Sequence, residues 1–203
     1  MSASSRSFPD LERAELADLL ETVGPDAPTH CGDWTTAQLA AHIVVRDRRP
    51  DALAGYGLEE AGVGGPLAAW SHRQEDRLRA STPYAEVVAR LRSGPPRWSL
   101  LAVPVLGPLL NTAEFAIHHE DVRRAQPGWQ PRDLPRAAQD QLWSASAFYA
   151  RRAAGRRGLV LRRTDAPGVE RRLGKAGLTV LGEPMELLLW VAGRRDVARV
   201  EVS

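Results

Sequence analysis

Apolar residues recur at helical spacing through most of the chain and at strand spacing only near its end. Leu16, Leu19, Leu20 and Val23, with Leu11 leading in behind Pro9-Asp10, predict a first helix that Gly24-Pro25 stops. After a loop-like connector from Asp26 to Trp34, Thr35 or Thr36 can cap a second helix through Leu39, His42, Ile43 and Val45, ending near Pro50. A Gly-rich stretch from Gly55 to Pro66 precedes a helical pattern over Leu67 to Leu78. Thr82 followed by Pro83 reads as a cap and first helical position for a segment through Val88 and Leu91, which Ser93-Gly94-Pro95-Pro96 ends. Helices from Pro108 to about Ala125 and from Leu134 to Ala154 follow, the second closed by Gly155.

Beyond Gly155 the period shortens. Leu159 to Leu161, Val169 to Leu173 and Leu178 to Leu181 are short apolar or alternating runs parted by Asp165-Ala166-Pro167-Gly168 and Gly174, so they read as strands and turns. A helix from Pro184 to Ala192 and a strand from Val197 to Val202 complete the tail. The expectation is a mainly α protein, with a helical bundle over residues 1–155 and a small α/β appendage over 156–203.

The helix predicted from Pro108 departs from a plain apolar stripe. At roughly 100° per residue, Glu114, His118 and Asp121 fall between Leu110, Ala113 and Ile117 on one side and Phe115 and Val122 on the other. His119, Glu120 and Arg123 point away, and His119 reads as a surface residue. A carboxylate and an imidazole aimed at the core must be paired or must ligate a metal, because an unpartnered buried charge is costly. Glu114 and His118 stand one turn apart, a spacing at which two side chains can close on one ion. A third ligand must come from another helix. His42 lies on an apolar face between Leu39, Val45 and Ile43, whereas His30 and His72 sit in polar or loop-like surroundings. Two imidazoles and one carboxylate leave open coordination positions, as in catalytic zinc sites. A core histidine satisfied by a carboxylate is the other reading of the same spacing.

Composition narrows the classes. The 203 residues, 43% hydrophobic, suffice for one full core; 27 basic and 25 acidic residues give a net charge of +2. No basic patch asks for nucleic acid. Cys31 is the only cysteine, which excludes an internal disulfide and a multi-cysteine zinc site. It is either a packing residue or a thiol-exchange partner. Met1 to Ser7 carries no apolar signal-peptide core, and nowhere do about 18 apolar residues run together. A cytoplasmic protein without membrane association is expected.

Three segments resemble one family. Cys31-Gly32-Asp33-Trp34-Thr35-Thr36-Ala37-Gln38-Leu39-Ala40-Ala41-His42-Ile43 is similar to the W-T-x-x-x-L-x-x-H helix of the DinB-like and mycothiol-dependent maleylpyruvate isomerase superfamily. Glu114 to Asp121 resembles its E-x-x-x-H-x-x-D helix, and Gly182 to Arg194 its C-terminal segment. The resemblance covers most of the chain. It implies a DinB-like four-helix bundle followed by a small C-terminal α/β appendage, with a divalent metal, usually zinc, held by His42, Glu114 and His118. Mycothiol or a related thiol would be activated on that metal and attack a small electrophile, in an isomerase or an S-transferase. A non-catalytic metal-binding module that senses a thiol or a protein partner is the alternative, and a homodimer is left open. Asp121 either accepts a hydrogen bond from the N–H of a ligand imidazole and so orients it, or pairs with Arg46 or Arg49. Those two arginines share the His42 face. They either hold the anionic end of the thiol or substrate or are solvated helix-end residues.

Overall fold

The computed structural model describes residues 6–52, 56, 65–103, 106–175 and 177–203. Seven α-helices and four strands are named here: α1 (Phe8–Val23), α2 (Thr36–Arg48), α3 (Pro66–Ser81), α4 (Tyr84–Ser93), α5 (Leu106–Arg124), α6 (Arg136–Ala154), β1 (Leu159–Arg163), β2 (Glu170–Leu173), β3 (Leu178–Gly182), α7 (Pro184–Val191) and β4 (Glu201–Val202). The mainly α class with a small sheet near the C-terminus is the expected one. Most of the Gly55 to Pro66 stretch lies outside the described residues.

Two compact units account for the chain, residues 1–111 with 118–129 and residues 112–117 with 130–203. In the first, α1 packs on α4, and α2 packs on α3 and α4. Leu16 and Leu20 of α1, Leu39 and Ile43 of α2, and Val88 and Leu91 of α4 are fully buried. Removing such side chains from water stabilises by roughly 1.5–3 kcal/mol each, which outweighs the weak intrinsic preference of short helices. Val45, Ala52 and Tyr56 form a smaller cluster with Trp70 and Leu78.

In the second unit, α6 packs on α7, and both lie with a sheet ordered β2-β1-β3-β4. β1 runs parallel to β3 and antiparallel to β2, pairing Leu159 with Leu173 and Leu178. Leu159, Leu161, Val180, Leu187 and Trp190 share one core with Ala150 and Ala154. The backbones crowd where β1 begins. A Cβ on Gly158, whose φ is +80°, would come within 1.9 Å of the Lys175 carbonyl oxygen, and one on Gly177 within 2.3 Å of that of Arg157. Only glycine fits there.

Three boundaries differ from expectation. Pro83 is the N-cap of α4 rather than its first helical residue, and Glu86 N–H donates to its carbonyl at 2.9 Å. α6 starts at Arg136, after Pro135, rather than at Leu134. The last strand is confined to Glu201–Val202, because Arg194 and Ala198 are engaged in a turn in which Ala198 N–H donates to the Arg194 carbonyl at 3.0 Å. No described helix is long and apolar enough to cross a membrane.

Candidate metal centre

The connector before α2 fixes the phase of that helix. Thr36 N–H donates to the Ala27 carbonyl at 3.0 Å, and Thr35 N–H to Gln38 Oε1 at 2.9 Å, so the first turn is held by both backbone and side chain. With Leu39, Ile43 and Val45 buried, His42 stands between them with 12% of its side chain exposed.

α5 departs from the expected two-faced helix. From Asn111 to Val122 every residue but Glu114 is buried, His119 at 4% and Glu120 at 1% exposure included, whereas Leu110, expected on the apolar side, is 45% exposed. His119 is therefore a core residue and not a surface one. Its Nδ1 lies 3.0 Å from Glu12 Oε2 of α1, while Arg124 Nε donates to Glu120 Oε2 at 2.7 Å. A helix can be buried on its polar side where each polar group finds such a partner. Helical spacing reveals which residues share a side, but not whether the side opposite the apolar stripe is wet.

His42, Glu114 and His118 offer one ligand atom each, all within 4.8 Å of one another. Ligands at about 2.0–2.2 Å from a tetrahedral zinc ion stand roughly 3.3–3.6 Å apart, so the three atoms lie within about 1.5 Å of the spacing that an ion needs. The orientation of the imidazoles supports the fit. His42 Nδ1 is 2.9 Å from Glu75 Oε1, and His118 Nδ1 is 3.1 Å from Asp121 Oδ2. Each ring thus turns Nδ1 toward a carboxylate, so Nε2 is the nitrogen that would ligate an ion, as is usual in metal-bound histidine. Asp121 Oδ2 is in contact with the His118 imidazole, as one of its two readings has it.

Glu75 is the member of this network that sequence reasoning missed. Its carboxylate meets three groups: His42, the Tyr56 hydroxyl, which donates to Oε1 at 2.6 Å, and His72 Nδ1, 3.1 Å from Oε2. Burial acts to raise its pKa, but His42, Tyr56 and His72 together outweigh burial and hold the carboxyl below the ordinary glutamate value. His72 is therefore part of the site's surroundings, contrary to the polar, loop-like setting expected for it. The available signal was its position one turn before Glu75 on a helix. Trp34 completes the wall, its ring centroid 5.1 Å from that of His42 and 6.5 Å from that of His72.

The two arginines differ. Arg46 is 7% exposed and donates to Asn111 Oδ1 at 2.9 Å and to the Leu110 carbonyl at 3.1 Å, so it is not a solvated helix-end residue. Arg49 is exposed, binds Asp51 through two nitrogens and lies 5.0 Å over the Trp70 ring. Cys31 sits beside the site, its Sγ donating to Asp121 Oδ2 at 2.8 Å and lying 3.3 Å from His118 Nδ1. Two further groups of potential ligands occur among the described residues, Cys31 with His118 and Asp121, and Glu12 with Glu15 and His119.

No family model and no curated protein matches the chain. Among solved structures, the mycothiol-dependent maleylpyruvate isomerase H52A mutant superposes with a TM-score of 0.60 at 17% identity, over 97% of this chain and 90% of that one. The structure of the mycothiol-dependent maleylpyruvate isomerase itself gives 0.55 at 18% identity, with the same coverage. The chain thus has the fold of mycothiol-dependent maleylpyruvate isomerase, a helical bundle followed in sequence by a small α/β segment.

Proposed function

We propose that this protein binds one divalent metal ion, zinc by preference, through His42, Glu114 and His118, and uses a low-molecular-weight thiol such as mycothiol in isomerase or S-transferase chemistry on a small electrophile. The observation that carries the reading is the convergence of these three side chains with a carboxylate behind each imidazole. The solved structures that share the fold are of an enzyme described as mycothiol-dependent.

A bound zinc ion would lower the pKa of a thiol beside it, so that the nucleophilic thiolate is present at neutral pH. The rest falls to the chain. Glu75 and Asp121 fix the tautomer and tilt of the two imidazoles. Trp34 and Tyr56 pack against His42, at 5.1 and 4.6 Å between centroids, and shield the site from water on that side. Of the two arginines considered for an anionic end, Arg49 has the exposure to meet it; Arg46 is committed to Asn111 and helps to hold α5 against α2.

Metal analysis, followed by cobalt substitution in Cys31→Ser, tests the reading. The variant has no protein thiol, so titrating mycothiol should add a sulfur-to-cobalt charge-transfer band, and turnover of an electrophile should then depend on the thiol. A chain that stays metal-free after incubation with zinc, nickel or manganese overturns the site. Metal binding without a thiol band overturns the thiol-dependent reading in favour of a non-catalytic module.

A further inference from the structure

Cys31, His118 and Asp121 bring three different donor atoms into a tight triangle. Sγ is 2.8 Å from Asp121 Oδ2 and 3.3 Å from His118 Nδ1, and Nδ1 is 3.1 Å from Oδ2. The triangle is held from both ends. His118 and Asp121 share one turn of α5, while the cysteine is fixed by its N–H donating to Thr29 Oγ1 at 3.1 Å and by Trp34 N–H donating to its carbonyl at 3.1 Å. Beside it, His30 N–H donates to the Asp121 carbonyl at 3.0 Å, which ties the connector to the helix. Sulfur, imidazole nitrogen and carboxylate oxygen held by an ordered frame make one face of a tetrahedron.

We propose that Cys31 Sγ, His118 Nδ1 and Asp121 Oδ2 form a second metal site, selective for a thiophilic ion such as zinc, cadmium or copper(I), and distinct from the site on the Nε2 side of His118. Zinc binds thiolate sulfur at about 2.3 Å and imidazole or carboxylate at about 2.0–2.2 Å, which places such ligands roughly 3.2–3.7 Å apart. The two edges at Nδ1 need a few tenths of an ångström of expansion, and the edge from Sγ to Oδ2, at 2.8 Å, needs about 0.7 Å. Entry of the ion releases the thiol proton and any proton on Nδ1 to solvent, and the half-buried Cys31 leaves a side from which water can supply the fourth ligand. The softness of sulfur sets the preference, because magnesium and calcium take oxygen ligands. One imidazole would then serve two ions, so the two sites influence each other through His118. The inference needs no thiol cosubstrate and stands independently of the proposed reaction.

Cadmium titration of the purified full-length chain, with no added thiol, tests it. The wild type should take up two equivalents and develop a sulfur-to-cadmium charge-transfer absorption. Cys31→Ser should take up one equivalent and show no band. Asp121→Asn should bind the second equivalent at least tenfold more weakly, and His42→Ala, which removes a ligand of the first site only, should keep the band. If the wild type shows no band, the site does not exist. If the band is lost in His42→Ala, Cys31 ligates the first ion and the second site is overturned. Loss of the first equivalent alone in His42→Ala, with the band kept, supports the second site whatever becomes of the thiol-dependent reading.

Discussion

An imidazole binds a metal through one nitrogen and is aimed by whatever holds the other, so Glu75 and Asp121 control what His42 and His118 can do. Glu75→Gln keeps the size of the side chain but replaces the carboxylate that meets His42, Tyr56 and His72. Metal affinity should fall by about 10- to 100-fold, the usual effect of disturbing such a partner, and competition against a chromogenic chelator measures it. His42→Ala and His118→Ala should each lose the ion of the His42, Glu114 and His118 site outright. His119→Ala should keep it, because His119 faces Glu12, but should lower stability by about 1–3 kcal/mol as the buried contact is lost; elemental analysis and a urea midpoint separate the two effects. That His42, Glu114 and His118 come within reach of one another was legible in the sequence, because i, i+4 spacing on a helix and a histidine amid buried apolar neighbours are local patterns. Glu75 was not, since its contact with His42 exists only once α3 lies beside α2.

Elements tell a similar story about reach. Six helices before the α/β tail could be traced from apolar spacing and from stops such as Gly24 and Gly94, while the expected last strand shrank to Glu201–Val202 because a turn at Arg194 competes for the backbone. What periodicity cannot reveal is the burial of the polar side of α5, where pairing with Glu12 and Arg124 replaces water. The crowding at β1 has a sharp consequence. Gly158→Ala must relieve both a left-handed φ and a Cβ placed against the Lys175 carbonyl oxygen, so it should destabilise the second unit by more than about 1 kcal/mol. Hydrogen exchange of β1 and β3 amides reads it: protection should drop there and persist in α1 and α2.

For the molecule as a whole, acid response can be assigned to particular pairs. Arg163, itself raised above the ordinary arginine value chiefly by Asp165, holds Asp165 below the usual carboxylate range by hydrogen bonding, against a smaller opposing effect of burial. A carboxyl whose folded pKa is depressed contributes stability above its unfolded value, about 3.9, and loses it as pH falls through the folded value. The wild type should therefore lose its advantage over Asp165→Asn between about pH 5 and pH 2, as urea midpoints of both proteins would record. The whole-chain architecture was only partly legible: the bundle and the sheet could be foreseen, but not that α6 clusters with the sheet, since nothing local says which neighbour a helix will choose. Nor could it be foreseen that α5 is divided, with Thr112–Ile117 counted in the second unit and the turns on either side in the first. Because one unbroken helix contributes residues to both units, a single cut in the chain cannot yield either unit with all of its residues, and a truncated fragment made at any one point would carry an incomplete core.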